Sequence, residues 1–543
     1  MFQKNFYITS PIYYVNDVPH IGHAYTSVAC DVMARFKRLQ GYDVRFLTGT
    51  DEHGQKVEKS ALQKQKSPQQ FCDEISAKFL ELTKTLNLSN DDFIRTTQER
   101  HKKSAQEFWR ILEKNGWIYK SVYEGWYAVR DEAFYAQDEL INGKAPTGAE
   151  VSWHKEESYF FKLSAFQDKL LALYDAVPDF IQPESKRNEV ISFVRGGKNY
   201  VKGALHDLSI SRTSFSWGIP VPQNTNDPNP SLPLISNHVM YVWLDALTNY
   251  LSALGFPNEN DPLIQKFWCD TTDSPVHIVG KDILRFHAVY WPAFLMAAQI
   301  PLPNKVFAHG WWTNSGQKIS KSLGNVIDPN QEIEWLKSFG CDHNTAVDYF
   351  RYFLMREVPF GNDGDYNRKN FVARVNAELS NNIGNLAQRI LSMIYKNNDA
   401  KIVNISFYDD AKELLEKAYK IKDEFVVEMD KFAFDEAIEK IVNFARACNF
   451  FVDQKAPWTL KKENRLEEMN LVLSTIAECL RCLAIALQSF IPSLAAKVLD
   501  VLNIDPKQRA LDFLNSDYAL KNSHQINEPK AIFPRLQEIE VTK

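Results

Sequence analysis

Three features of this 543-residue sequence predict an α/β fold built on a parallel sheet, split by a β-rich insertion and followed by an all-α domain. A strand, a loop, a helix and a second strand succeed one another at the start of the chain. A mid-chain stretch then changes texture to short aromatic β pieces. The last third carries helical periodicity with almost no interruption. The opening succession needs a crossover connection, so its strands lie parallel and the loops after them gather at one edge of the sheet. That arrangement is Rossmann-like.

Phe6-Tyr-Ile-Thr-Ser-Pro-Ile-Tyr-Tyr14 is strand-like and leads into His20-Ile-Gly-His23. Ala29, Val32, Met33 and Phe36 then fall at helical spacing, and Val44-Arg-Phe-Leu-Thr-Gly49 returns to β character before Thr50-Asp-Glu-His-Gly54. This first half of the catalytic domain is expected over residues 1–115. Residues 116–222 are punctuated by Gly and Pro and include Gly125-Trp-Tyr-Ala-Val129, so they are expected as the connective insertion. Alternation resumes with Val239-Met-Tyr-Val-Trp243, Val276-His-Ile-Val-Gly280 and Lys305-Val-Phe-Ala-His-Gly310, which places the second half of the sheet domain at 223–315. A linker region follows at 316–370. From 371 to 543 the pattern is helical, with Val375, Leu379, Ile383, Leu386, Ile390 and Ile394 forming one apolar stripe. One loop, Asn224 to Ser231, is marked by composition alone.

Bulk properties narrow the class. Hydrophobic residues make up 45% of the chain, ample for several cores and contrary to disorder. The net charge of −5 means that a nucleic-acid partner would have to be met by local basic faces. Residues 1–10 do not have the make-up of a secretory signal. The longest apolar stretch, Leu471 to Ile491, contains Glu478 and Arg481 and is expected as a buried helix, with no membrane span. Seven scattered cysteines suit a reducing, cytoplasmic setting. Cys479 and Cys482 have redox spacing but sit inside that helical run without a second pair, so they are expected as packed thiols.

The chemistry-bearing strings are two. No Walker-type loop and no G-x-G-x-x-G occurs, so nucleotide binding needs another device. In His20-Ile-Gly-His23 two histidines straddle a helix start, where they can hydrogen-bond a phosphate as charge builds on it, and Gly22 permits close approach. Lys318-Ile-Ser-Lys-Ser322 offers two lysines among small hydroxyls, suited to clamping a leaving pyrophosphate. Either alone is weak. Together, in this order and across an insertion, they resemble the paired signatures of class I aminoacyl-tRNA synthetases, with Ile319 where that family usually has Met.

The resemblance to the methionyl branch extends through Pro11 to Tyr14, Thr48 to Gly54, Val242 to Ala246, Gly280 to His287 and Ala456-Pro-Trp458. It implies ATP-dependent activation of L-methionine, with Mg²⁺ accompanying the nucleotide, and transfer to methionine tRNA, initiator tRNA included. It makes His20, His23, Lys318 and Lys321 the catalytic groups, and Gly22, Lys281, Asp282, Ser320 and Ser322 the ATP site. It gives Asp51 the substrate ammonium. Ile12, Tyr14, Trp243, Ala246, Tyr250, Phe286, His287 and Trp291 become the side-chain pocket, an aromatic cage suited to a polarizable thioether. Asn385 and Arg389, four residues apart on one helix face, and Trp458 become the anticodon readers.

The sequence departs from many methionyl enzymes in the insertion. No cysteine lies between Cys72 and Cys269, and His154 and His206 alone cannot make a tetrahedral site, so no structural zinc is expected. The insertion is also too short for an editing module, and no tRNA-binding barrel fits after the helical region, so a monomer is expected. Three rivals stay open at this point: a nucleotidyltransferase that acts without tRNA, a synthetase of another specificity, and a non-catalytic tRNA-binding relative.

Overall fold

The computed structural model describes residues 4–16, 18–130, 133–135, 137–222, 237–269, 273–319, 324–403 and 409–537, so the loop marked by composition lies outside them. At its centre is a seven-stranded sheet whose pairings are all parallel. Asn5–Thr9 lies between Asp43–Asp51 and Val276–Gly280, and the sheet continues through Lys305–His309 to Ile181–Gln182. Asp43–Asp51 also pairs with Asp92–Arg95 and, at Thr50 and Asp51, with Tyr13–Tyr14. The chain leaves Asn5–Thr9 on one flank, and that strand's neighbour on the other, Val276–Gly280, comes only after the insertion. Asn5–Thr9 is therefore the switch point at whose carboxyl end a crevice opens.

Both faces of the sheet are covered, as its parallel pairing requires. Phe6 and Ile8 feed one core and Tyr7 the other, so alternation along a single strand seeds both layers. Helix Ile21–Leu39 fills the first core with Ala24, Val28, Val32 and Phe36. On the same face Arg351, from helix His343–Arg356, meets Asp31 at 2.7 Å with both side chains fully buried. Arg351 also donates to the carbonyls of Leu86, Ser489 and Phe490, which ties the sheet to the helical region.

The insertion divides in two. Ile118–Ala128 and Ser152–Phe161 form a long antiparallel pair, flanked by Ala133–Tyr135 and Leu208–Ser209. From 163 to 195 the expected β-rich stretch is instead largely helical, in Gln167–Ala176 and Glu184–Arg195, and Ile181–Gln182 joins the central sheet. Leu163, Phe166, Leu170 and Tyr174 pack in the same core as Val279, Phe294 and Ala308. Their spacing of three and four is helical, a signal that the aromatic texture of the surrounding sequence obscured.

Helices Asp409–Asp430, Phe434–Lys455, Leu466–Leu487 and Pro492–Val501 complete the molecule. Every residue of the apolar stripe from Val375 to Ile394 is buried. The core does not break at 371, because Val375 and Leu379 belong to the same cluster as Phe6 and Ile8. Leu466–Leu487 is long and apolar enough to cross a membrane, yet nearly all of it is packed inside the protein. Within it Arg481 pairs with Glu478 at 2.6 Å, and burial pushes the Cys479 and Cys482 thiols up, which keeps them protonated and inert.

Candidate active site

A cavity of about 520 Å³ opens at the carboxyl edge of the sheet, beside the switch-point strand. It is lined from the ends of four parallel strands. Pro11 to Tyr14 follow Asn5–Thr9, Asp51 ends its strand, Gly280 ends the next, and His309 ends the last.

One side is built by the start of helix Ile21–Leu39. His20 is its N-cap, accepting at Nδ1 from the Gly22 amide at 3.1 Å, while His23 Nδ1 accepts from the His20 amide at 3.0 Å. Two accepting Nδ1 atoms leave the proton on Nε2 in both rings, so each can donate outward while neutral. Burial holds both histidines below the ordinary value of 6.5, His23 well below it. A Cβ at Gly22 would stand 2.9 Å from His20 Cε1, so only glycine lets the His20 ring lie over the helix start. Gly280 plays a similar part, since a Cβ there would meet Asp282 Oδ1 at 2.5 Å. Asp282 lines this side and accepts from Trp311 Nε1 at 3.2 Å.

The opposite side is apolar and aromatic. Trp243 and Phe286 lie parallel with ring centroids 3.7 Å apart, a flat wall joined by Ile12, Ala246 and Tyr250. Tyr250 stacks on His277 at 4.1 Å and its hydroxyl donates to His287 Nε2 at 2.7 Å. His287 Nδ1 donates to the Ile283 carbonyl at 3.0 Å, and burial pushes this histidine down to about 4, so it is neutral. Between the two sides Asp51 is 8% exposed and lines the cavity. Its neighbours are tied elsewhere, Glu52 to Arg95 at 2.7 and 3.0 Å and His53 to Asp245 at 2.7 Å.

Most of the expected residues are therefore brought together. Trp291 is not a lining residue. It is fully buried behind Tyr250, with ring centroids 6.0 Å apart. Lys281 also stands off the cavity, paired with Asp363 at 2.6 Å and lying over the Trp311 ring. Lys318 ends the short strand Gln317–Lys318, on a hairpin that leaves the cavity rim just after His309. Ser320, Lys321 and Ser322 lie outside the described residues. In the helical region Arg389 lies over the Trp458 ring at 4.5 Å and reaches Asp453 at 3.3 Å, with exposed Asn385 one turn before it. The lining residues that motif reading missed include His309, Lys56 and Trp311, together with Arg130, Tyr135 and Thr147 from the insertion. His309 and Trp311 were within reach of the rule that strand ends carry function; the insertion residues had no local signal.

Residues 6–152 and 138–391 match the family model described as tRNA synthetases class I (M), which makes the chain a class I aminoacyl-tRNA synthetase by sequence and fold. Residues 406–543 match the anticodon binding domain of methionyl tRNA ligase. The chain is 55% identical to a methionine–tRNA ligase of Rickettsia felis over 98% of its length and 99% of that protein's. A relative of the same name from Brucella suis is 46% identical, with 99% of each chain covered. The solved structure of Mycobacterium tuberculosis methionyl-tRNA synthetase in complex with methionyl-adenylate superposes with a TM-score of 0.89. It is 44% identical, and the match covers 98% of this chain and all of that one. The chain belongs to the methionyl-tRNA synthetases, the ATP-dependent ligases that join methionine to its tRNA.

Proposed function

We propose that the cavity holds L-methionine and ATP side by side. One observation carries the reading. A single cavity presents a carboxylate, Asp51, between an aromatic wall and two neutral histidine donors on a helix start. Asp51 takes the ammonium, and the thioether lies against Trp243, Ala246, Tyr250 and Phe286, with Ile12, Tyr14 and His287 closing the pocket and Trp291 backing it. His20 and His23 donate to the nucleotide phosphates, with Gly22 and Asp282 beside them, and Mg²⁺ enters on those phosphates as part of the substrate.

In the first step a methionine carboxylate oxygen attacks the α-phosphorus, the bond to the β-phosphate oxygen breaks, and pyrophosphate leaves. No side chain forms a bond in this step; orientation and charge stabilisation lower the barrier. Lys318 and Lys321, with Ser320 and Ser322, meet the leaving pyrophosphate, while Lys281 borders the ATP site. In the second step the 2′-hydroxyl of the terminal tRNA adenosine attacks the adenylate carbonyl and AMP leaves. Asn385, Arg389 and Trp458 read the anticodon of elongator and initiator methionine tRNA alike. The protein works as a cytoplasmic monomer, its insertion folds without zinc, and the sheet domain, insertion, linker and helical domain divide the labour along the chain.

Amino-acid-dependent exchange of pyrophosphate into ATP tests the reading. Methionine should support exchange without tRNA and the other amino acids should not. Exchange driven better by an aliphatic amino acid would overturn the pocket assignment.

A further inference from the structure

Behind the amino-acid end of the cavity lies a buried polar network none of whose side chains lines it. Asp245 is fully buried, and each carboxylate oxygen is 2.7 Å from a histidine, Oδ2 from His53 Nδ1 and Oδ1 from His101 Nε2. His101, also fully buried, has Ser252 Oγ at 2.8 Å from its Nδ1. His53 is packed on its other side by Trp217, whose ring meets it edge-on at 5.5 Å and whose Nε1 donates to the Glu52 carbonyl at 2.6 Å. A buried carboxylate gripped from both oxygens is rigid, because breaking either bond leaves a buried polar group without its partner.

The three side chains come from three elements, two of which carry the halves of the amino-acid site. His53 follows Asp51 by two residues, just past the end of Asp43–Asp51. Asp245 sits on Val242–Leu247 between Trp243 and Ala246. His101 belongs to helix Glu99–Lys114, which packs behind both, with Ser104 bonded to the Phe256 carbonyl. We infer that Asp245 is a positioning residue for methionine: with His53 it fixes the span from Asp51 to Trp243 and Ala246, and His101 anchors that span to the scaffold. None of the three lines the cavity, so they act through the backbone that bears the binding groups. The span matters because it must match the distance from ammonium to thioether in one bound methionine, and a displacement of an ångström at such a site is costly. The inference rests on the assignment of Asp51 and Trp243 given above.

Pyrophosphate exchange with H53A, D245A and D245N separates methionine KM, ATP KM and kcat, with the thermal midpoint of each variant measured alongside. H53A cuts the link to the strand end while leaving the Asp245–His101 pair in place, so it should fold. Its methionine KM should rise ~tenfold or more, with ATP KM nearly unchanged. D245A should show the same split. D245N should recover most of it, because an amide accepts from one histidine and donates to the other, and Ser252 can serve either tautomer of His101. D51A is the control on the parent assignment: if it leaves methionine KM unchanged, that assignment fails. If D51A raises methionine KM while folded H53A and D245A do not, even with lowered midpoints, the network is only a stability element and the inference is wrong.

Discussion

His20 and His23 each use one ring nitrogen to cap their own helix, which leaves Nε2 as the donor and ties that arrangement to the neutral state. Burial lowers both below 6.5 and pushes His287 down to about 4. The unfolded chain therefore takes up these protons first as pH falls. Their contribution to stability is complete above about pH 6.5 and is lost on the way down, for His287 between 6.5 and about 4. Methionine-dependent pyrophosphate exchange should accordingly stay level from pH 8 to 6.5 and decline only below, together with the thermal midpoint. An inflection at or above 6.5 would show that these histidines titrate as exposed groups. A lysine that meets charge on the departing pyrophosphate acts most strongly in the transition state, so K321A should slow adenylate formation on the order of 10²–10³-fold. Methionine affinity should change little. Single-turnover kinetics with an unchanged rate would remove Lys321 from the mechanism.

At the scale of elements the insertion tip is the informative piece. Its small core consists of Ala128, Tyr135, Ala145 and Ala149, with Leu140 and Val151 packed against it. Elemental analysis of protein purified without chelator should find no stoichiometric zinc, and chelator treatment followed by dialysis should leave exchange activity unchanged once Mg²⁺ is supplied; about one zinc per chain, lost with activity that Mg²⁺ does not restore, would contradict this. Element types were legible in the sequence wherever one period ran unbroken. The stripe from Val375 to Ile394 and the strands around Ile8, Phe46 and Ile278 bury as their spacing implies. The second half of the insertion was not legible as helix, because Phe160, Phe161 and Phe166 bring aromatic texture across a change of period. Ile181–Gln182, two residues long, pairs with a strand far along the chain, and nothing local announces that. The roles of Trp291 and Lys281 were obscured for a related reason. Sequence places them in the site's neighbourhood, while packing decides which side chain reaches the cavity and which stands behind it.

Across the whole molecule, the sheet that bears the cavity and the helical region that matches an anticodon binding domain are joined by one continuous core and by the Arg351–Asp31 strut. Trp458 shares no lining with the cavity, so W458A should spare pyrophosphate exchange and impair aminoacylation. Stacking one unpaired base on an aromatic ring is worth ~1–3 kcal/mol, so charging efficiency should fall roughly ten- to a hundred-fold. R389A should behave alike, since its guanidinium lies over the same ring. Equal loss of both reactions would make Trp458 a core residue, and unaffected charging would place the reading of tRNA elsewhere. The most direct test of the central claim, that one cavity orients methionine between Asp51 and the aromatic wall, is a crystal structure with an unreactive methionyl-adenylate analogue. The amine should lie within ~3 Å of the Asp51 carboxylate, with the thioether against Trp243, Ala246 and Tyr250 and the phosphate beside His20 and His23. An amine bound away from Asp51, or a thioether outside the aromatic wall, would contradict the account.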